Sequence, residues 1–240
     1  MDEALELGYY LPVSYKSPKE QEYIAFLWDA FETNYANKKF QFALLAYHML
    51  TMSFMYFNIW QIKQNKRDDF EKALIGFKKD DEKTFIDATS PFTFSGVNES
   101  SVLRLLKLMG CDNSKIGNYA ALVKQRNDIA HSNCNIYFST QEAIDDKIKN
   151  ILRIAEEIQE HSKPIIICCY RKFLISSSNL EERQFYDPID QIRDILIHEN
   201  YFSQRDIKIC LSFDINSLID HEGFEEIRKL HNALLAEFDI

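Results

Sequence analysis

Apolar residues recur along most of this chain at intervals of three and four, the period of a helix with one buried face. Ser17-Pro18-Lys19-Glu20 reads as a capping box with Pro at the first helical position, and predicts a helix running to about Asn34. A second, longer helix is expected from Phe40 to about Lys63, and a short one over residues 68 to 77. Ser90 to Asn98 is the clearest long loop of the first half. Val102 to Met109 is apolar at helical spacing and closes at Gly110, a good C-terminal stop. Ser114 then serves as an N-cap for a helix carrying Ile116, Ala120, Val123 and Ala130, which ends in the loop-like Ser-Asn-Cys-Asn after His131. Ser139-Thr140-Gln141-Glu142 opens a strongly periodic helix through Ile144, Ile148, Ile151, Leu152, Ala155 and Ile158, and Pro164 starts a further apolar segment to about Leu174. From Ser176 the texture changes to a turn or linker, and residues 186 to 240 read as three or four short helices. The pattern predicts an all-α fold: a helical bundle over residues 1–175 and a helical C-terminal extension over 176–240.

Phe40 to Ile62 holds 23 residues without a formal charge, long enough to cross a bilayer. Gln41, His48, Thr51, Asn58 and Gln61 interrupt it, mostly on one side, which suits a central bundle helix with a polar stripe turned to a site or partner. A soluble protein is therefore expected, with His48 as a hydrogen-bonded core residue able to approach the site described next.

Composition narrows the class. Six Gly and five Pro in 240 residues argue against a β-sandwich or a linker-rich protein, and no Gly-rich phosphate loop occurs. A net charge of −9 disfavours coating nucleic acid by bulk electrostatics. Locally the sign reverses: residues 100 to 131 carry Arg104, Lys107, Lys115, Lys124 and Arg126 against Asp112 and Asp128, so Arg104, Lys115 and Lys124 are candidate phosphate contacts. The same charges would also suit a solvated helix face. Cys111, Cys134, Cys168, Cys169 and Cys210 show no zinc spacing and leave an odd thiol, so no metal or other cofactor is expected and the redox signal reads as cytoplasmic. Cys168 and Cys169, in an Ile-rich run, read as buried. The acidic start Met-Asp-Glu-Ala has no apolar signal core.

The chemistry concentrates in Arg126-Asn127-Asp128-Ile129-Ala130-His131. Arg offers a planar fork of donors to a phosphate. His carries a proton either way near neutral pH. At about 100° per residue, Asn127 and His131 share a helix face and Arg126 lies within half a turn of both. A His near a helix C-terminus is also favoured by the dipole alone, the bland reading of the same residue.

The hexamer resembles the ribonuclease signature of the HEPN superfamily, in which Arg, a polar residue, a short spacer and His form the site. The likeness is local, in an all-helical context over about residues 17 to 175. It implies a HEPN-like helical bundle that pairs two-fold, bringing two motifs into one cleft, and metal-independent cleavage of single-stranded or looped RNA as a toxin or antiviral effector. It implies Arg126 as phosphate stabiliser, His131 as acid/base or leaving-group partner and Asn127 as an orienting or substrate contact. A partner antitoxin or defence-system protein is implied in the same way. One departure stands out: Asn133 occupies the position where partner-modified HEPN toxins carry Tyr, and the nearest Tyr is Tyr137.

Two other readings remain. One is a non-catalytic HEPN-like module binding RNA, a nucleotide or a partner protein, favoured by the acidic body. The other is a helical scaffold with an accidental motif. Arg193 and His198 repeat the spacing with the spacer of an ordinary amphipathic helix, and are read as a decoy. The extension, with eight acidic against four basic residues over 201 to 240, is better explained as packing, dimerising or docking surface than as an RNA clamp.

Overall fold

The computed structural model describes residues 2–131 and 134–238. Among them there is no strand, only an isolated bridge between Pro12 and Ser203. A short α1 (Asp2–Leu5) runs into a 3-10 turn over Glu6–Tyr10. Helices α2 (Pro18–Ala36) and α3 (Phe40–Asn65) form an antiparallel hairpin. The Ser17 box closes as the sequence predicts, its hydroxyl accepting from Lys19 N–H while Glu20 returns to the Ser17 N–H.

Every side chain from Leu50 to Ile62 is buried, so α3 is apolar all round because it is wrapped all round. It is long and apolar enough to cross a membrane by length and composition, and 83% of that stretch is buried inside the fold. Its polar residues divide into two groups. Thr51 and Asn58 return hydrogen bonds to the carbonyls of Tyr47 and Phe54 in their own helix. Gln41, His48 and Gln61 reach other elements, bonding respectively to Ile129 O, Glu99 and Asp206.

Short elements cover one flank: α4 (Arg67–Ala73), α5 (Lys79–Ile86), a 3-10 turn over Pro91–Gly96 where a loop was expected, and α6 (Glu99–Val102) continuing as 3-10 through Leu103–Met109. Gly110 stops this run at φ +90°, a left-handed conformation costly for any residue with a Cβ. Helix α7 (Asn113–Ala130) is capped by Asp112, not Ser114, because the Asp112 carboxylate reaches the Lys115 N–H.

Helix α8 (Gln141–Ser178) is 38 residues without a break, although Pro164 lies inside it. Proline removes the N–H that Glu160 O would accept. Both Pro164 and Glu160 are exposed, so the missing bond falls on the solvent side of the helix, where water can replace it, and the helix continues. The first hydrophobic core takes α8 up to Ile165, and a second core begins at Ile166 and gathers Tyr170, Phe173 and Leu174. That second core is closed by α9 (Pro188–Gln191), which continues as a π-helix over Ile192–His198, then α10 (Gln204–Leu211), a 3-10 turn at Ile215–Leu218 and α11 (Phe224–Glu237).

The extension is anchored to the bundle. Val13 N–H donates to Phe202 O, and Tyr201 packs in the first core with its hydroxyl on Glu20. Buried Asp206 accepts from Gln61 of α3, Gln159 of α8 and the Ser203 N–H, tying three helices at one carboxyl. Burial pushes its pKa up, against these hydrogen bonds, which pull it down. Cys169 is buried as expected, but its neighbour Cys168 faces solvent, since consecutive helical residues sit about 100° apart.

Candidate functional site

Arg126 lies one turn before the end of α7, and its Nη2 stands 2.5 Å from Glu99 Oε1. The other Glu99 oxygen meets His48 Nε2 at 3.3 Å. Three elements therefore supply one polar cluster: α7 brings the guanidinium, the start of α6 the carboxylate, and mid-α3 the imidazole. Arg126 is 30% exposed at its side chain, Glu99 19% and His48 5%, so the cluster opens to solvent through Arg126. Burial raises the Glu99 pKa, but hydrogen bonds and charge from His48 and Arg126 outweigh it and hold the carboxyl below its ordinary value. Beneath Arg126, the crevice between α3, α7 and α8 is only about 10 Å³, room for one water at most. Lys147 of α8 lines that crevice, and burial lowers its pKa.

His131 stands apart from this cluster. It is the C-cap of α7, its N–H still bonded to Asn127 O at 3.1 Å, but its φ and ψ of −83° and 140° are extended. The backbone has left the helix, so the face-sharing with Asn127 expected from helical spacing does not extend to the His131 side chain. That side chain is exposed, Asn127 is half-buried, and among the described residues no hydrogen bond or ion pair joins Arg126 to His131. Ser132 and Asn133, the latter the position compared above with a Tyr, lie outside the described residues.

Of the three expected phosphate contacts, Lys115 is the one held elsewhere. Lys115 lies at the other end of α7, about 16 Å away along the axis. It is held by α8, with its Nζ 3.3 Å from Glu157 Oε1 and 2.6 Å from His161 Nε2. Lys124 and Arg104 are exposed, on α7 and on the Leu103–Met109 turn. Arg193 pairs with Glu237 of α11, while His198 Nδ1 meets Ser14 Oγ at 3.3 Å, so these two groups serve different contacts. Among the described residues no group of three or more His, Cys, Asp or Glu is arranged to hold a metal ion.

Sequence reading missed Glu99. Its only local signal, an acid just after an Asn cap, is what any helix N-terminus carries. Its partnership with Arg126 spans 27 residues of chain and needs the α3–α6–α7 packing to appear.

A second feature adjoins the cluster. A cleft of about 630 Å³ opens between α2, α3 and the Pro91–Gly96 turn, with Tyr23, Tyr56 and Phe92 among its walls and Glu20 and Glu99 in its lining. Glu99 is thus shared between the cleft and the Arg126 cluster.

No protein-family model, curated protein or solved structure matches this chain.

Proposed function

We propose that this protein is a HEPN-like endoribonuclease that cuts single-stranded or looped RNA without a metal, as a homodimer, in a toxin or antiviral role. The observation that carries this reading is the placement of Arg126 and His131 on one end of α7, the first reaching solvent beside a carboxylate and the second exposed at the helix terminus. A carboxylate and a phosphodiester offer a guanidinium the same pair of acceptor oxygens. Glu99 therefore occupies the position a substrate phosphate would take, and binding exchanges one anion for the other.

The reaction needs no group beyond these side chains. The ribose 2′-hydroxyl attacks the adjacent phosphorus and loses its proton to a base, while an acid protonates the departing 5′-oxygen. Arg126 offsets charge on the nonbridging oxygens, His131 carries a proton and Asn127 orients the strand. The products are a 2′,3′-cyclic phosphate and a 5′-hydroxyl. Among the described residues no hydrogen bond or ion pair joins Arg126 to His131, and in this reading a two-fold partner completes the pair. Exposed Phe42 and Ile136, 58% and 80% accessible, support such pairing, because Gln41 bonds both Ile129 O and Tyr137 N and so holds their segments beside the motif.

A second reading rests on the same ion pair. If Arg126 leaves Glu99 to hold an anion but no imidazole joins it, the chain is a non-catalytic HEPN-like binding module. Incubating pure protein with RNA in EDTA separates the two. The nuclease yields cyclic-phosphate ends that vanish with His131→Ala. The module shifts RNA or a partner without cutting, and Arg126→Ala weakens that binding.

A further inference from the structure

The polar cluster at Arg126 is short of negative charge. Arg126, His48 and Lys147 all line the narrow crevice between α3, α7 and α8, and no acid lines it. Glu99 enters from α6 and uses both its oxygens, Oε1 on Arg126 at 2.5 Å and Oε2 on His48 at 3.3 Å. Neither is left for Lys147. Among the described residues no hydrogen bond or ion pair reaches the Lys147 ammonium. This lysine is half-buried, and burial alone moves its pKa, downward, with no acid near enough to raise it. Two cations and an imidazole therefore share one carboxylate, and a second anionic oxygen donor at this place would be favoured.

Shape restricts what that anion is. The carboxylate of Glu99 is planar and meets two of the three groups. The three come from three helices, α3, α7 and α8. A phosphate holds its oxygens in tetrahedral directions, so a single group can meet donors arriving from several sides. The crevice of about 10 Å³ is too small for an ion while Glu99 is in place. On its other side, however, Glu99 lines the cleft of about 630 Å³, which gives the carboxylate room to withdraw.

Resting on the nuclease reading for its substrate, we infer that His48 and Lys147 complete the phosphate site of Arg126, and that on withdrawal of Glu99 one phosphate group binds all three side chains. His48 donates through Nε2, the nitrogen that now meets Glu99. Lys147 takes the part expected of Lys115, whose ammonium is held by Glu157 near the other end of α7.

Glu99→Ala vacates the position. Titrating it with inorganic phosphate against chloride at equal ionic strength, without RNA, and following the His48 imidazole by NMR, tests the site apart from any cleavage. The expected result is a saturable shift, with affinity at least about tenfold weaker in wild type and about fivefold weaker when Lys147→Gln is added to Glu99→Ala. Should Glu99→Ala lose its helical circular dichroism, Lys147→Gln in the otherwise wild-type chain decides. A single-stranded deoxyoligonucleotide carries the phosphates without the attacking 2′-hydroxyl, and Lys147→Gln should reduce the slope of its log affinity against log salt by about 0.7. No saturation in Glu99→Ala, or a Lys147→Gln change without effect, would overturn the site. Saturable phosphate binding beside a wild type that cuts no RNA would refute the nuclease and support the site.

Discussion

Replacing Glu99 by Gln isolates the contact on which the site turns. The change keeps size and one carbonyl acceptor while removing the negative charge that Arg126 meets at 2.5 Å and His48 at 3.3 Å. With Arg126 30% and Glu99 19% exposed, the pair lies between surface ion pairs, at about 0–1 kcal/mol, and buried ones, at about 3–5 kcal/mol when one partner is lost. A remaining Gln–Arg hydrogen bond puts the expected cost at about 1–2 kcal/mol, a Tm drop of about 2–8 °C for a chain of this size. The pH dependence follows from the sign of the shift. The folded-state pKa of Glu99 is lowered, so its stabilisation is present above the ordinary value of 4.5 and is lost as pH falls through the folded value. The Tm difference between wild type and Glu99→Gln should therefore be largest near neutrality and close in acid. The same variant frees Arg126 for phosphate. In a His131→Ala background that cannot cut, RNA affinity should rise, and the slope of log affinity against log salt should steepen by about 0.7, one added phosphate contact on a single strand. An unchanged slope, or a Tm difference that persists undiminished at acid pH, would refute Glu99 as occupant of the phosphate position.

Asp206→Ala leaves the Ser203 N–H without its acceptor and Gln61 Nε2 and Gln159 Nε2 with only Asn200 O and Ser162 Oγ, and thermal unfolding should register a loss of about 2–3 kcal/mol. Because burial raises the Asp206 pKa, its ionisation opposes folding, and this carboxyl's contribution should diminish as pH rises through its folded value; a contribution that grows over that rise would contradict the network described. Pro164→Ala should restore a hydrogen bond within unbroken α8 and raise stability by about 1–3 kcal/mol, whereas destabilisation would mean the helix depends on its proline. Gly110→Ala should cost about 1 kcal/mol in denaturant titration, from its left-handed φ of +90°.

Much of the architecture was legible because helix signals are local. The Ser17 box, the apolar run of α3, the Gly110 stop and the Thr140 start all depend on residues within a turn of each other. The α8 break at Pro164 was misread because the penalty of proline depends on whether the orphaned carbonyl meets water, a tertiary property. Helix α5 escaped notice because its eight residues bury only Phe85. At the site, Arg126 and the nearness of His48 could be anticipated from type and position. Glu99 could not, and the helical geometry assumed for His131 failed because the chain turns extended at that residue.

The central claim is that a guanidinium and an imidazole from two copies of this chain converge on one phosphodiester, and subunit mixing tests it most directly. Arg126→Ala and His131→Ala are each expected to be inactive alone. Mixed and re-associated, half the dimers carry one intact pair, so RNA cleavage in EDTA should return to about a quarter of wild type. A mixture that stays inactive beside an active wild type, or cleavage that survives in either single variant, would contradict the account.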